Sequence, residues 1–133
     1  MLKILIADDH EIIRRAITMI LLDGYPSAYV EEADDTETLI SKACSGDWDI
    51  ILSDLAMPGG GGLHALERLA QHSPRIPVLI VSMYPEEQYG LRVMKAGASG
   101  YINKDSVTEE LIKAVQIVLD GGKYISEKAP FGN

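Results

Sequence analysis

Three carboxylates, one hydroxyl and one ammonium group stand at the ends of short apolar runs in this sequence. Asp8 and Asp9 follow the first run, Asp54 follows the third, Ser82 ends the fourth and Lys104 follows the fifth. Ligands of open parallel sheets bind at the carboxyl ends of the strands. If the runs are parallel strands, these five side chains converge on one edge of the sheet.

Such a group of residues suits phosphoryl chemistry. Two close carboxylates repel each other by about 4 kcal/mol at an effective dielectric constant of roughly 20. A divalent cation removes this repulsion, and ligands that are all oxygen suit Mg²⁺. Lys104 would neutralise a phosphoryl oxygen, and Ser82 would hydrogen-bond another. Asp54, alone on the middle strand, is best placed to attack phosphorus and form an aspartyl-phosphate.

The elements that must position these groups alternate along the chain. Most of the apolar runs are β-branched and do not alternate with polar residues, which is typical of strands buried on both faces. The second run carries Glu31 and Glu32, which predicts an edge strand. The predicted strands are Ile4–Ala7, Tyr29–Ala33, Ile50–Leu52, Val78–Val81 and Gly100–Asn103. Five β–α units predict an α/β fold with a parallel sheet.

The segments between the strands have helical spacing and recognisable ends. Helices are predicted over Thr36–Ser45 and Glu86–Ala96, and the last helix is predicted to end near Asp120. The expected N-terminal caps are Asp34 or Asp35 for the second helix and Ser106 or Thr108 for the fifth, and Gly97 and Gly121 are expected at C-terminal caps.

The composition indicates one acidic domain with a substantial core. The chain has 133 residues, of which 47% are hydrophobic, and a formal net charge of −8. This charge has the wrong sign for gripping nucleic acid phosphates. The single cysteine, Cys44, excludes an internal disulfide and is predicted to be a buried, small apolar residue. No apolar segment is long enough to span a membrane, so a cytoplasmic location is expected.

Four segments together carry a resemblance to a known family. They are Ala7-Asp8-Asp9-His10, Ser53-Asp54-Leu55-Ala56-Met57-Pro58-Gly59, Val81-Ser82-Met83 and Gly100-Tyr101-Ile102-Asn103-Lys104-Asp105. In order and spacing they resemble the receiver domains of bacterial two-component response regulators, of the LuxR/NarL/FixJ-type subfamily. The resemblance implies a doubly wound, five-stranded parallel sheet of flavodoxin-like order 2-1-3-4-5, with helices on both faces. It also implies a receiver domain over residues 1–126, followed by a linker or frayed end over 127–133.

The resemblance assigns roles to the residues of the site. Asp54 would be the phospho-acceptor. Asp9 would bind Mg²⁺ directly and Asp8 mainly through water, with Asp54 and the backbone carbonyl of Ala56 as further ligands.

A second set of implied roles concerns the phosphoryl group and the conformational switch. Lys104 and Ser82 would contact the phosphoryl group. Tyr101 would report phosphorylation by moving inward as Ser82 is drawn toward the phosphoryl oxygens. The chain would therefore be a switch that catalyses only its own phosphorylation and hydrolysis.

The partners implied are a histidine kinase or a phosphotransfer protein, and a second copy in a phosphorylation-dependent homodimer. The dimer is expected on the face of the fourth helix, fifth strand and fifth helix, or on the face of the first and fifth helices. DNA would be reached only through an output domain that these 133 residues do not contain.

Two departures from the family pattern are visible. Asp105 stands where the family often has a proline after the lysine, so no cis bond is expected there. The run Gly59–Gly62 is richer in glycine than usual, which predicts a mobile loop. The histidines lack metal-ligand spacing; His10, His64 and His72 are predicted at the surface, with His10 close enough to influence the site.

Two other functions are compatible with parts of the pattern. A phosphotransferase or phosphatase with an aspartyl intermediate usually needs an Asp-x-Asp motif on the first strand, and the sequence has none there. A receiver-shaped interaction module that is never phosphorylated would not need the complete set of site residues.

A glycine pattern over residues 60–65 resembles a dinucleotide fingerprint, but it lies on the third β–α unit and no acid ends the next strand.

Overall fold

Strands and helices alternate along the whole described chain. The computed structural model describes residues 1–71 and 75–125. The elements are β1 (Lys3–Ala7), α1 (Glu11–Gly24), β2 (Tyr29–Ala33), α2 (Thr36–Ser45), β3 (Ile50–Asp54), α3 (Gly61–Leu69), β4 (Val78–Ser82), α4 (Glu86–Lys95), β5 (Gly100–Asn103) and α5 (Val107–Leu119), with a 3-10 turn over Lys104–Ser106. All five strand predictions are confirmed to within two residues at either end. His72 and the predicted linker over residues 127–133 lie outside the described residues.

The five strands form one parallel sheet in the order β2-β1-β3-β4-β5, as predicted. From β1 the chain continues to β2 on one side of β1 and then crosses to form β3 on the other side. The strand order therefore reverses between β1 and β3. The register places Ala7 opposite Ser53 and Ser82 opposite Asn103. Residues that follow β1 and end β3 are therefore neighbours at the carboxyl edge of the sheet.

Two apolar layers enclose the sheet. On one face, Ile4 and Ile6 of β1 pack with residues of α1 and α5. On the other face, Leu5 and Ile51 pack with residues of α2, α3 and α4. Each such side chain that is removed from water stabilises the fold by about 2 kcal/mol. The strands are apolar on both faces because both faces are covered, as the non-alternating pattern predicted.

The helix ends follow the cap residues of the sequence. Asp35 accepts a hydrogen bond from the Thr38 N–H at 2.7 Å, so it caps α2, and this bond lowers the pKa of its carboxyl group. Gly97 and Gly121 have φ angles of 109° and 91° after α4 and α5, as C-terminal caps require. Ser106 occupies the N-cap position of α5, but its side chain makes no cap hydrogen bond.

The prediction that Cys44 is buried is wrong, because its side chain is exposed. The inward stripe of α2 consists of Leu39, Ile40 and Ala43. Successive residues of an α-helix are rotated by about 100°. Cys44 therefore points away from the core that Ala43 contacts.

The residues directly after α5 pack against the sheet, although they lack helical periodicity. After α5 the chain returns to the edge of β5, where the Tyr124 N–H donates to the Ser99 carbonyl and the Tyr101 N–H donates to the Tyr124 carbonyl. The Tyr124 side chain is 7% exposed, and its hydroxyl donates to the Glu110 carboxylate of α5. Helical periodicity could not reveal this segment, because its backbone bonds are made to a strand.

No helix within residues 1–71 and 75–125 is both long and apolar enough to cross a membrane.

We expect Tyr124→Ala to lower the free energy of unfolding by about 3 kcal/mol, because it removes a buried aromatic ring. Ile125→Ala is the matched control, since Ile125 is the next residue but is partly exposed; it should cost under about 1 kcal/mol. Urea denaturation followed by circular dichroism measures both. Equal losses in the two variants would show that the segment does not pack as described.

Candidate functional site

The structure brings together the five polar side chains that the sequence analysis singled out. Asp8 and Asp9 follow β1, Asp54 and Ser82 end β3 and β4, and Lys104 follows β5. The Lys104 Nζ lies 2.8 Å from Asp8 Oδ2 and 3.2 Å from Asp54 Oδ2. The two carboxylates face each other because Ala7 pairs with Ser53 in the register of β1 and β3.

The single ammonium group of Lys104 forms ion pairs with two buried carboxylates. Asp8 is 2% exposed and Asp54 is 5% exposed. Burial and the charge of Asp8 raise the pKa of Asp54, and Lys104 and a long hydrogen bond from the Ala56 N–H offset this only in part. Burial acts to lower the pKa of Lys104, but the hydrogen bond to Asp8 and the charges of both carboxylates outweigh it, so the pKa is raised. The site therefore keeps an excess of negative charge.

The excess charge and the donor set fit a divalent cation. Asp8, Asp9, His10 and Asp54 each offer a ligand atom, and these atoms lie within 4.8 Å of one another. The carboxylate oxygens are the ligands that Mg²⁺ prefers. The three aspartates were predicted from the sequence as metal ligands, whereas His10 was expected only to lie near the site. The His10 side chain is 60% exposed, as predicted, yet its Nδ1 lies 3.1 Å from both Asp8 Oδ1 and Asp9 Oδ1.

The glycine-rich loop after Asp54 is anchored by hydrogen bonds to Thr36 and to the Leu55 carbonyl, and its predicted mobility stays a prediction. The Gly61 N–H donates to Thr36 Oγ1 at 2.9 Å, and the Gly62 N–H donates to the Leu55 carbonyl at 2.9 Å. Gly61 has a φ of 73°, and a Cβ there would lie 2.3 Å from the Leu55 carbonyl oxygen. The glycines permit a close approach of α3 to the end of β3, where a side chain would collide.

Ser82 and Tyr101 meet at the backbone of Tyr84. The Ser82 hydroxyl accepts a hydrogen bond from the Tyr84 N–H at 3.0 Å, and the Tyr101 hydroxyl donates to the Tyr84 carbonyl at 2.7 Å. Tyr101 is 0% exposed, and burial raises the pKa of its phenol. The expectation that its ring starts outside is therefore wrong for this structure, where the ring already fills the inward position.

Asp105 takes part in a short turn instead of a proline bend. Its N–H donates to the Asn103 side-chain oxygen at 2.9 Å, at the start of the 3-10 turn over Lys104–Ser106. This turn leads directly into α5. The lysine is thus positioned by β5 on one side and by a capped turn on the other.

Comparison with known proteins identifies the family to which the chain belongs. Residues 4–116 match the family described as the response regulator receiver domain. The chain belongs to this family. The receiver is 38% identical over 126 residues to the response regulator GacA of Pseudomonas aeruginosa, covering 95% of this chain and 59% of that protein. It is 32% identical to the response regulator UvrY of Escherichia coli, covering 95% of this chain and 58% of that protein. The receiver thus spans less than two thirds of the length of these relatives.

Solved structures agree with this assignment. A LuxR-family two-component response regulator from Aurantimonas has a TM-score of 0.86 and 32% identity, covering 94% of the receiver and 89% of that chain. The non-phosphorylated receiver domain of RcsB from Escherichia coli has a TM-score of 0.84 and 25% identity, covering 95% and 98%. The flavodoxin-like fold, the LuxR-type subfamily and a place in two-component signalling are confirmed.

Without a metal ion, we expect Asp54→Asn to stabilise the receiver at neutral pH. Between the ordinary carboxyl pKa and the raised pKa of Asp54, the folded state binds more protons than the unfolded state, so stability falls as pH rises through this window. The amide removes that loss. We expect a Tm increase of about 3 °C, equivalent to roughly 1 kcal/mol in a domain of this size.

Differential scanning calorimetry in EDTA at neutral pH and below the window measures this effect. The gain should shrink at the lower pH, where Asp54 is protonated in both states. Asp105→Asn, an exposed acid beside the site, is the control and should change Tm little. A lower Tm for Asp54→Asn would mean that attraction to Lys104 outweighs burial and repulsion.

Proposed function

We propose that this receiver accepts a phosphoryl group on Asp54 from a phosphohistidine of a histidine kinase or phosphotransfer protein. The supporting observation is the placement of the Asp54 carboxylate, which is buried between the charges of Asp8 and Lys104. An Asp54 oxygen attacks phosphorus and forms the new P–O bond as the P–N bond of the donor breaks. The electron pair of that bond stays with the donor imidazole, which takes up a proton.

The reaction depends on Mg²⁺ in this proposal. Asp9, Asp54 and the Ala56 backbone carbonyl would hold the ion directly, and Asp8 mainly through water. When bound, Mg²⁺ supplies positive charge to carboxylate and phosphoryl oxygens. The uncompensated charge of the carboxylates supports this assignment, because one lysine cannot neutralise all of them.

Lys104 and Ser82 act on the phosphoryl group. The Lys104 Nζ already lies beside the Asp54 carboxylate, so a small movement lets it donate to a phosphoryl oxygen. Ser82 ends the neighbouring strand, and its hydroxyl would rotate to donate to another oxygen. That rotation weakens its acceptance of the Tyr84 N–H, and Tyr84 also holds the Tyr101 hydroxyl. Phosphorylation at Asp54 would thus change the loop after β4 and the position of Tyr101.

The phosphorylated receiver would control an output domain by forming a symmetric homodimer. Structures of RcsB, a similar response regulator, include dimers bound to DNA. The receiver carries a net charge of −8, so DNA contact would come from an output domain and not from these residues. We retain residues 1–126 as the receiver domain in this proposal, with 127–133 as a linker or frayed end.

The first test is chemical. Incubation with acetyl phosphate and Mg²⁺ should add one phosphoryl group to the wild-type chain, seen by intact-mass spectrometry. Asp54→Asn should abolish the adduct, because an amide is a poor nucleophile, while the exposed control Asp34→Asn should be phosphorylated normally. Asp9→Asn should lower phosphorylation at limiting Mg²⁺ and recover at higher Mg²⁺. A phosphoryl group mapped to another residue would overturn the assignment.

The second test concerns the dimer and its face. Leu91 on α4 is 45% exposed and Met19 on α1 is 69% exposed, so each of the two expected faces offers an apolar contact. Light scattering should show a monomer that becomes a dimer when Mg²⁺ and beryllofluoride, a phosphoryl mimic, are added. A carboxylate at the interface would be present twice in a symmetric dimer. Either Leu91→Glu or Met19→Glu should therefore remain monomeric, while the other dimerises like the wild type.

An unchanged wild-type mass with beryllofluoride would remove dimerisation as the output. Dimerisation of both variants would exclude both faces.

A further inference from the structure

The imidazole of His10 lies beside two of the carboxylates of the site. Its Nδ1 is 3.1 Å from Asp8 Oδ1 and 3.1 Å from Asp9 Oδ1. The backbone also fixes the residue, because the His10 N–H donates to Asp8 Oδ1 at 2.8 Å. His10 is the N-cap residue of α1, yet its side chain makes no cap hydrogen bond. The ring therefore faces the acidic cluster and does not cap the N-terminus of α1.

These distances match the spacing of neighbouring ligands around one ion. In an octahedral site with bonds of about 2.1 Å, adjacent ligand atoms lie about 3.0 Å apart. The nitrogen and the two Oδ1 atoms can therefore share a cation with little movement. Lys104 contacts the other oxygen of Asp8, Oδ2, so it does not compete for this side of the cluster.

We propose that His10 becomes a ligand of the site when the bound ion is a divalent transition metal. Imidazole suits ions such as Zn²⁺, Co²⁺, Ni²⁺ and Cu²⁺, whereas Mg²⁺ keeps to oxygen ligands and water. The receiver then has two modes of metal binding in one pocket: oxygen-only for Mg²⁺, and mixed oxygen and nitrogen for transition ions. This inference rests on the proposed metal site of Asp9 and Asp54.

As a consequence, the site would not select Mg²⁺ strongly over divalent transition metals. An added nitrogen ligand strengthens the binding of later transition metals more than that of Mg²⁺. Removing it should weaken Co²⁺ or Zn²⁺ binding by at least about ten-fold, the lower end of the losses seen even for groups that only support a ligand. Mg²⁺ affinity should change by less than about two-fold, since His10 is not among its ligands.

The decisive measurement is pulsed electron paramagnetic resonance of Cu²⁺ bound to the full, untagged chain, because Cu²⁺ is paramagnetic and suits imidazole. The sequence has three histidines, so His64→Gln and His72→Gln leave His10 as the single imidazole. We expect nitrogen modulation typical of a coordinated imidazole in this background and its loss when His10→Gln is added. Cu²⁺ bound without that modulation would overturn the role of His10 while leaving the oxygen site in place.

Isothermal titration with Co²⁺ and with Mg²⁺ completes the test. Selective loss of Co²⁺ affinity in His10→Gln supports ligation. Equal loss for both ions would overturn it, because His10 would then only position Asp8 and Asp9. If the wild type binds neither Co²⁺ nor Mg²⁺, or if Asp9→Asn binds both ions as tightly as the wild type, the proposed metal site itself fails. Circular dichroism of the metal-free variants checks folding, which the exposed ring of His10 should not affect.

Discussion

The carboxylates of Asp8 and Asp54 face each other at the point where the strand order of the sheet reverses. Both are almost removed from water, and Lys104 contacts both. Burial penalises charge, and like charges raise the penalty further, so this pair is costly without an added cation. The parallel register of β1 and β3 places the two carboxylates at neighbouring strand ends. The fold thus contains a site whose negative charge is only partly neutralised by Lys104.

The loops around this site are linked through hydrogen bonds to shared backbone groups. Ser82 and Tyr101 both bond the backbone of Tyr84. The backbone N–H of Tyr101 in turn bonds the carbonyl of Tyr124, beyond the last helix. These bonds connect Ser82 to Tyr124 through one loop and one strand. In the proposed function, this contiguous path would couple phosphorylation of Asp54 to an output domain.

The glycine-rich loop after Asp54 is closely packed between the end of β3 and the start of α3. Its glycines adopt backbone conformations that other residues avoid, and α3 approaches so closely that a Cβ at Gly61 would meet the Leu55 carbonyl. Thr36, at the start of α2, supplies a further bond to this loop. Asp54, the proposed acceptor, is consequently followed by a turn fixed by hydrogen bonds and close packing, which would keep a nucleophile in a defined position.

The sequence by itself determined the alternation of elements, their near-exact bounds and the convergence of Asp8, Asp9, Asp54, Ser82 and Lys104. It could do so because buried parallel strands need continuous apolar runs, and because polar residues after such runs collect at one edge. Cap residues likewise act on their own helices, so Asp35 and Gly97 were predictable from local pattern.

Only the tertiary structure decided which of several possible neighbours each remaining side chain meets. Cys44 is exposed because Ala43 takes the inward position on α2, and Tyr101 lies inside because the Tyr84 carbonyl holds its hydroxyl. His10 joins the acidic cluster through the turn after β1, and Tyr124 pairs with β5 from a distant part of the chain. Each of these contacts depends on the relative placement of separate elements, which no local pattern of residues encodes.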